Sequence, residues 1–476
     1  MKRIALLALV AVFVLGMAGS ASALHLQQGE AGEAGGGTAY MNIYGHVANY
    51  AYWENNTDFN DNEYDSADFF GETDWYLGFE IAQSENLKAF IQLYQEQDWG
   101  VGPGEAGEDS TENLKIEHAY LDFMVPNTDI RVKGGDFGFQ LPGAGGDNVF
   151  DDTANGIQVS MPFNDMVGLT AGYAMLDQQG SAWNATDAGD DNEFTAQTSA
   201  VYAVLPITMD GVAFNPYFMF AESDIGEESG SLVPFYDEDG SPFGEIDDHT
   251  AYWYGFNGQV TMFDPITIGA DFIYGTSSVE TKDNFTVEGE DAEDAAERAG
   301  WFTQITADYK MDMFTPGVVF FYGSGDDDDP SDGSEMLPTV VSNYKPFNAV
   351  DDFGNGYVTN ADGDTQAEVG AGLWALAFQL KDISFIEKLS HDLTIGYVAG
   401  TSDKEAADFY GDSFMTEEDS MWTVEFDNSY QVYENLSAGL FFAYTKADYD
   451  EDLGDRGDDF ADDAYTTMEA SLSYSF

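Results

Sequence analysis

The chain of 476 residues predicts an all-β transmembrane barrel, and three observations carry that prediction. First, the final segment alternates: Ala464, Thr466, Met468, Ala470, Leu472, Tyr474 and Phe476 share one face, and Tyr465, Thr467, Glu469, Ser471, Ser473 and Ser475 the other. A period of two with one apolar and one polar face describes a strand between lipid and water. Second, after the first 23 residues no apolar run reaches the roughly 18 that a spanning helix needs. Any spanning must then be by strands closed on themselves, because an open sheet edge leaves backbone groups unpaired in lipid. Third, long acidic stretches alternate with very short turns, as in barrels with long outer loops and tight periplasmic turns.

The start of the chain agrees. Met1, Lys2 and Arg3 are basic, Ile4 to Val14 are apolar, and Ala21-Ser22-Ala23 offers small residues for cleavage, together a secretory signal peptide. The expected organisation is a signal peptide over 1–23, a short periplasmic segment over 24–37 and the barrel over 38–476, exported to a bacterial outer membrane. With no cysteine, there is neither a disulfide nor a thiol for lipid attachment.

The charge is extreme: 15 Lys and Arg stand against 88 Asp and Glu. Two of the basic residues lie in the leader. Such a chain will not bind nucleic acid, whose phosphates it would repel. It suits a saline or alkaline habitat, where a screening length of about 3 Å at molar salt relieves self-repulsion.

Eighteen strands are expected, with sixteen as the alternative. Strand one covers Thr38 to Glu54, and an acidic loop over Asn55 to Glu72 leads to Thr73 to Ala82. The turn Ser84-Glu85-Asn86 gives Leu87 to Asp98, and the loop Trp99 to Glu112 gives Asn113 to Val125. Pro126-Asn127-Thr128 turns into Asp129 to Gly138, followed by Ala154 to Met161, Val167 to Asp177 and Glu193 to Leu205. Val212 to Ser223 and His249 to Phe263 flank an acidic loop, and Asp264-Pro265 turns into Ile266 to Ser278. Then come Gly300 to Met311, Pro316 to Ser324, Gly370 to Leu380, Asp392 to Thr401, Ser420 to Tyr430, Asn435 to Lys446 and Asp463 to Phe476. Prolines fall at turns and strand starts, where no ladder donor is needed. Tyr50, Tyr52, Trp53, Trp75, Trp253, Tyr254, Trp301, Tyr430 and Tyr433 sit near strand ends and suit interfacial girdles.

Face assignment follows from charge. Trp422, Val424 and Phe426 oppose Thr423, Glu425 and Asp427, and a charge on the lipid face is costly, so the acidic face lines the lumen. The same logic places Glu80, Glu96, Asp271, Asp308 and Glu469 inside, and acidic linings favour cations. Arg131 and Lys133 alternate with Ile130 and Val132, which sets two cations on the wall just before the segment Gln140 to Asp152. The expected constriction has this pair facing Asp147, Asp151 and Asp152 across an inward-folded loop.

The segment IEHAYLDFMVPNTDIRVKGGDFGFQLPG, followed by DDTANGIQVSMPFNDMVGLTAGY, resembles the Desulfovibrio-type homotrimeric outer-membrane porins. The hairpin from Gly78 to Ala89 and the terminal SYSF are similar features, and Glu117 to Gly172 is the specific part. The resemblance implies a trimer of water-filled pores for small hydrophilic solutes, with the loop after the fifth strand folded inward. On that pattern Arg131 and Lys133 lie on the wall and Leu141 to Asp152 in the loop. The basic residues that porins array opposite this loop are scarce here, which argues against anion preference.

Other chemistry is weakly indicated. Histidines 25, 46, 118, 249 and 391 show no metal-ligand spacing, and no nucleophile and base pair stands out, so no catalytic activity is expected. Asp448, Asp450 and Asp452 alternate like a calcium loop, but Leu453 stands where its glycine belongs. Weakly bound Ca²⁺ at acidic loops, and contact with lipopolysaccharide phosphates, are the only cofactor and lipid expectations. The principal expectation is a general diffusion porin. The alternatives are a sugar-type specific channel using Tyr94, Trp253 and Phe302 as a stacking track, and a structural or adhesive barrel with calcium-binding loops.

Overall fold

The computed structural model describes residues 26–27, 40–55, 68–99, 114–177, 196–225, 246–281, 286–287, 290–291, 297–329, 332–340, 344, 347, 372–406, 415–450 and 464–476. The expected signal peptide lies outside the described residues, as does all of 24–37 except Leu26 and Gln27, whose backbones pair with Met41 and Tyr40.

Eighteen antiparallel strands among the described residues close into a barrel. They are β1 (Tyr40–Asn55), β2 (Asp68–Ser84), β3 (Leu87–Asp98), β4 (Lys115–Met124), β5 (Arg131–Gln140), β6 (Asp151–Pro162), β7 (Gly168–Asp177), β8 (Ala196–Val204), β9 (Val212–Ile225), β10 (Ile246–Phe263), β11 (Ile266–Thr281), β12 (Arg298–Tyr309), β13 (Thr315–Gly323), β14 (Leu373–Ile386), β15 (Leu389–Gly400), β16 (Ser420–Tyr433), β17 (Leu436–Asp448) and β18 (Ala464–Ser475). Each pairs with its neighbours in sequence, and β18 returns to β1 from Ser475 opposite His46 to Thr466 opposite Asn55. Gly45 and Phe476 complete the seam by exchanging backbone bonds of 3.1 and 3.0 Å. A Cβ on residue 45 would lie 2.5 Å from the Phe476 ring and 2.9 Å from the Tyr76 carbonyl oxygen, so a side chain there would have to displace the terminal ring and crowd β2.

Alternation decides the faces. On β16, Trp422, Val424 and Phe426 are exposed to the outside, while Thr423 and Glu425 are buried within. Leu440, Phe442 and Tyr444 on β17, and Met468, Leu472 and Tyr474 on β18, continue the outer apolar band. Among the described residues every strand of the ring is paired on both sides, which is the condition for a sheet to span.

Several boundaries differ from expectation. β2 begins at Asp68, so Phe69 and Phe70 belong to a strand rather than to the acidic loop. β14 and β15 extend to Ile386 and Leu389, leaving Glu387 and Lys388 as the turn, with Lys388 at φ 67°. Between β8 and β9 lies a short strand, Ile207–Met209, paired with β9. Trp253, read as a girdle residue, points inward and is 1% exposed, whereas Tyr254, Trp301, Tyr430 and Tyr433 do face outward.

Candidate functional site

The connection between β5 and β6 does not leave the barrel. Leu141, Val149 and Phe150 are buried in a cluster with inward side chains of β9 to β13, including Met219, Trp253, Ile273, Phe302 and Phe321. Between these anchors lies a single helical turn, α1 (Gly143–Asp147). It packs against β10, β11 and β12, so the loop crosses the lumen.

A wall carboxylate fixes the crossing. Asp271 on β11 is 6% exposed and receives the Asn257 amide at 2.9 Å together with the backbone N–H groups of Ala144 and Gly145. These are donors that a helical turn leaves unsatisfied. Gly143 adopts φ 75°, and a Cβ on it would fall 1.8 Å from Asp271 Oδ1. Its glycine is therefore demanded twice, by conformation and by contact. Asp271 was expected as lumen charge, and it sits on the inner face, but its oxygens are spent holding the loop.

At the other end of the turn, Gln140 donates to Asp147 at 2.8 Å and to Asp151 at 3.2 Å. Burial pushes the Asp147 carboxyl up to about 6; the Gln140 bond opposes this, while the charges of Asp151 and Asp271 reinforce it. Asp152 lies opposite Phe139 in the β5–β6 ladder, and its side chain is outside the described residues.

A second loop, absent from the sequence expectations, braces the first. Residues 332–340, 344 and 347 follow β13 and return inside: Val340 N–H donates to Val149 O at 2.9 Å, and Trp253 Nε1–H to Pro338 O at 2.7 Å. Tyr344 bonds Gln304 and stands edge-on to Phe302 and Phe321, with centroids 5.2 and 5.6 Å apart. Trp253 and Phe302 are thus covered, and Tyr94 lies on β3 with its hydroxyl on Glu96. The expected stacking track of Tyr94, Trp253 and Phe302 does not form.

The basic pair behaves differently from expectation. Arg131 and Lys133 do share the inner face of β5 with the buried Phe137 and Phe139. Arg131 gives Nε and Nη2 to Asp122 at 2.6 and 2.7 Å, a two-point pair with a buried carboxylate. Lys133 places Nζ 5.2 Å from the Tyr120 ring centre and 4.9 Å from that of Phe137. The charges that act on Asp147 are those of Asp151 and Asp271. What the sequence reading missed is a row of rings on this wall, Phe90, Tyr120, Phe137, Phe139 and Tyr202, with successive centroids 4.3–5.7 Å apart. Its signal was available: Phe137 and Phe139 occupy the face already assigned to the lumen.

The remaining wall acids line the interior. Glu80 accepts from Asn42 at 3.1 Å and pairs with Lys88 at 3.3 Å, and Asp308 pairs with Lys381 at 2.7 Å. Asp427 and Glu469 are half-buried on the inner face, and Glu425 is 3% exposed. Glu96 lies with Glu72 and Asp74, one oxygen of each within 4.8 Å of the others. Asp327, Asp332 and Glu335 form a second such exposed group. Among the described residues neither Asp448 nor Asp450 joins a group of that kind, and Asp452 lies outside them. The Asp450 N–H instead donates to Asp419 at 2.9 Å.

No family model matches the chain, and no curated protein does. Solved structures do match. OccD3 (OpdP) of Pseudomonas aeruginosa is similar with a TM-score of 0.52 and 12% identity, covering 92% of this chain and 91% of its own. OprD of the same organism gives 0.51 and 15%, with 92% and 95% covered, and its outer-membrane protein OpdK 0.52 and 11%, with 92% and 98% covered. At these identities the likeness is one of fold, a closed eighteen-stranded barrel of the outer-membrane type.

Proposed function

We propose that the protein is an outer-membrane channel passing small hydrophilic solutes down their gradients, with a preference for cations. The carrying observation is the sign of charge at the crossing loop: Asp147 lies with Asp151 and Asp271, while Arg131 is held by Asp122 and Lys133 by aromatic rings. In a lumen of reduced dielectric, carboxylates of one sign concentrate cations and repel anions. The reading involves no chemical step and no cofactor.

The second reading, a substrate-specific channel, is favoured by one observation. Two inward loops and an apolar cluster with members from β5 to β17 fill part of the lumen, beside inward polar groups such as Glu80, Glu96, Asp427 and Glu469. Such a path is narrower than an open barrel of this strand number and suits selection by shape. The solved structures of similar fold agree with this reading at least as well as with general diffusion.

The test is purified protein in planar bilayers under a salt gradient. Discrete steps with a cation-selective reversal potential are expected, grouped in threes for the trimer that the sequence resemblance implies and single for a lone pore. Absence of steps at every salt concentration would overturn the channel. Block of the steps by one solute at low concentration would select the specific reading over general diffusion.

A further inference from the structure

The outer face of the barrel is not uniform. On β9 to β18 the outward residues midway between the turns are bulky and apolar, among them Phe218, Ile305, Phe378, Phe426 and Phe442. On β4 to β6 the outward residues at the corresponding places are Ala119, Gly134, Asp136, Gly138 and Asn155. Asp136 lies midway along the 10 residues of β5, opposite Ala119 on one side and Asn155 on the other, so a carboxylate and an amide are neighbours on one outward row. Asn155 and Ala119 are exposed, and Asp136 is half-buried. Hydrocarbon offers an exposed amide neither donor nor acceptor, and ionisable groups at membrane depth face protein or water rather than lipid tails, whatever bonds they make along their own strand.

The glycines add an independent observation. Neither Gly134 nor Gly138 has a positive φ. A Cβ on Gly138 would meet nothing within 4 Å, and one on Gly134 would meet only the Gly156 carbonyl oxygen at 3.9 Å. The packing of the barrel itself therefore asks for glycine at neither place, whereas small residues at membrane depth let a second body approach the backbone closely. Another copy of the chain is the occupant that fits. Inserted in the same direction, it brings the same row to the same depth, and each row carries amide donors on Asn155 and an acceptor on Asp136, so the surface is complementary to itself.

We propose that copies of this chain meet in the membrane through the outer faces of β4 to β6, with Asn155 and Asp136 of one copy against those of the next and Gly134 and Gly138 setting the close approach. The contact is independent of which solute the channel passes.

The experiment uses the absence of cysteine from the chain, so that an introduced thiol reports alone. Full-length Ala119→Cys protein is treated in its membrane with a short, membrane-permeant bis-maleimide and run on a denaturing gel. A band of two joined chains is expected for Ala119→Cys and none for Ile395→Cys, whose position is outward and exposed on β15. Adding Gly138→Leu, which meets nothing in its own barrel, is expected to abolish the joined band and to shift the detergent-solubilised protein to the size of a single barrel, with its conductance kept. A single chain only for Ala119→Cys, equal joining at Ala119 and Ile395, or an assembly unchanged by Gly138→Leu overturns the contact. Single barrels that still conduct overturn the contact and leave the channel, whereas joined chains that never conduct overturn the channel and leave the contact.

Discussion

At the residue scale the crossing loop depends on positions that tolerate no side chain. Gly143→Ala forces φ 75° on an L-residue and drives a Cβ into Asp271. A cost of about 1–3 kcal/mol is expected for such strain, enough to release the loop rather than unfold the barrel. The variant should run as a folded barrel on gels and show larger, less selective conductance steps. Asp147 gives a pH dependence whose sign follows from its burial. Its carboxyl lies near 6 in the folded protein against an ordinary 3.8, so the folded state holds that proton more tightly. The stability this proton contributes is fully present below about 3.8 and is lost as pH rises through about 6. Cation preference runs the opposite way, increasing as the charge appears. Reversal potentials at pH 5 and pH 7.5 should differ in wild type and agree in Asp147→Asn; equal potentials in wild type would place the selectivity elsewhere. Asp122→Ala removes the acceptor of Arg131 and should lower cation preference by freeing a wall cation.

At the element scale, legibility followed what each face touches. β16 to β18 were readable because one face meets lipid and the other water, so that Trp422, Val424 and Phe426 separate from Thr423 and Glu425 by chemistry alone. β9 to β13 obscured the rule, since Met219, Trp253, Ile273 and Phe302 face inward yet are apolar, being packed under two loops. Nothing local in a strand announces that a loop distant in sequence will cover it. The same reason hid the second inward loop, part of whose grip is the Val340 N–H on Val149 O and the Pro338 carbonyl that accepts from Trp253, backbone groups that carry no residue signature. The basic pair was read to the right face but not to its partners, because Asp122 lies on a neighbouring strand whose register could not be fixed in advance. Deleting residues 336–340 should uncover Trp253 and remove the Val340 bond from the first loop. Increased Trp253 quenching by acrylamide, in a variant whose other tryptophans are replaced by Phe, would report that exposure.

At the scale of the whole molecule, charge sets the conditions for stability. A formal net charge of −73 repels itself through water wherever screening is weak. The barrel should therefore resist heat in detergent better at molar NaCl than at about 10 mM, where the Debye length grows to about 30 Å. An unfolding temperature independent of salt would mean that the acids are compensated locally, in the manner of the Glu80–Lys88 and Asp308–Lys381 pairs. The solved structures of similar fold share the closed ring of strands at 10–15% identity, so ring closure constrains sequence only through alternation and turn length. The seam has its own consequence. Because Gly45 and Phe476 exchange backbone bonds, the first strand and the last run side by side and the ring has no privileged starting point. A linker from Phe476 to Tyr40, with new ends cut at the Glu387–Lys388 turn, would give a circularly permuted chain with the same pore.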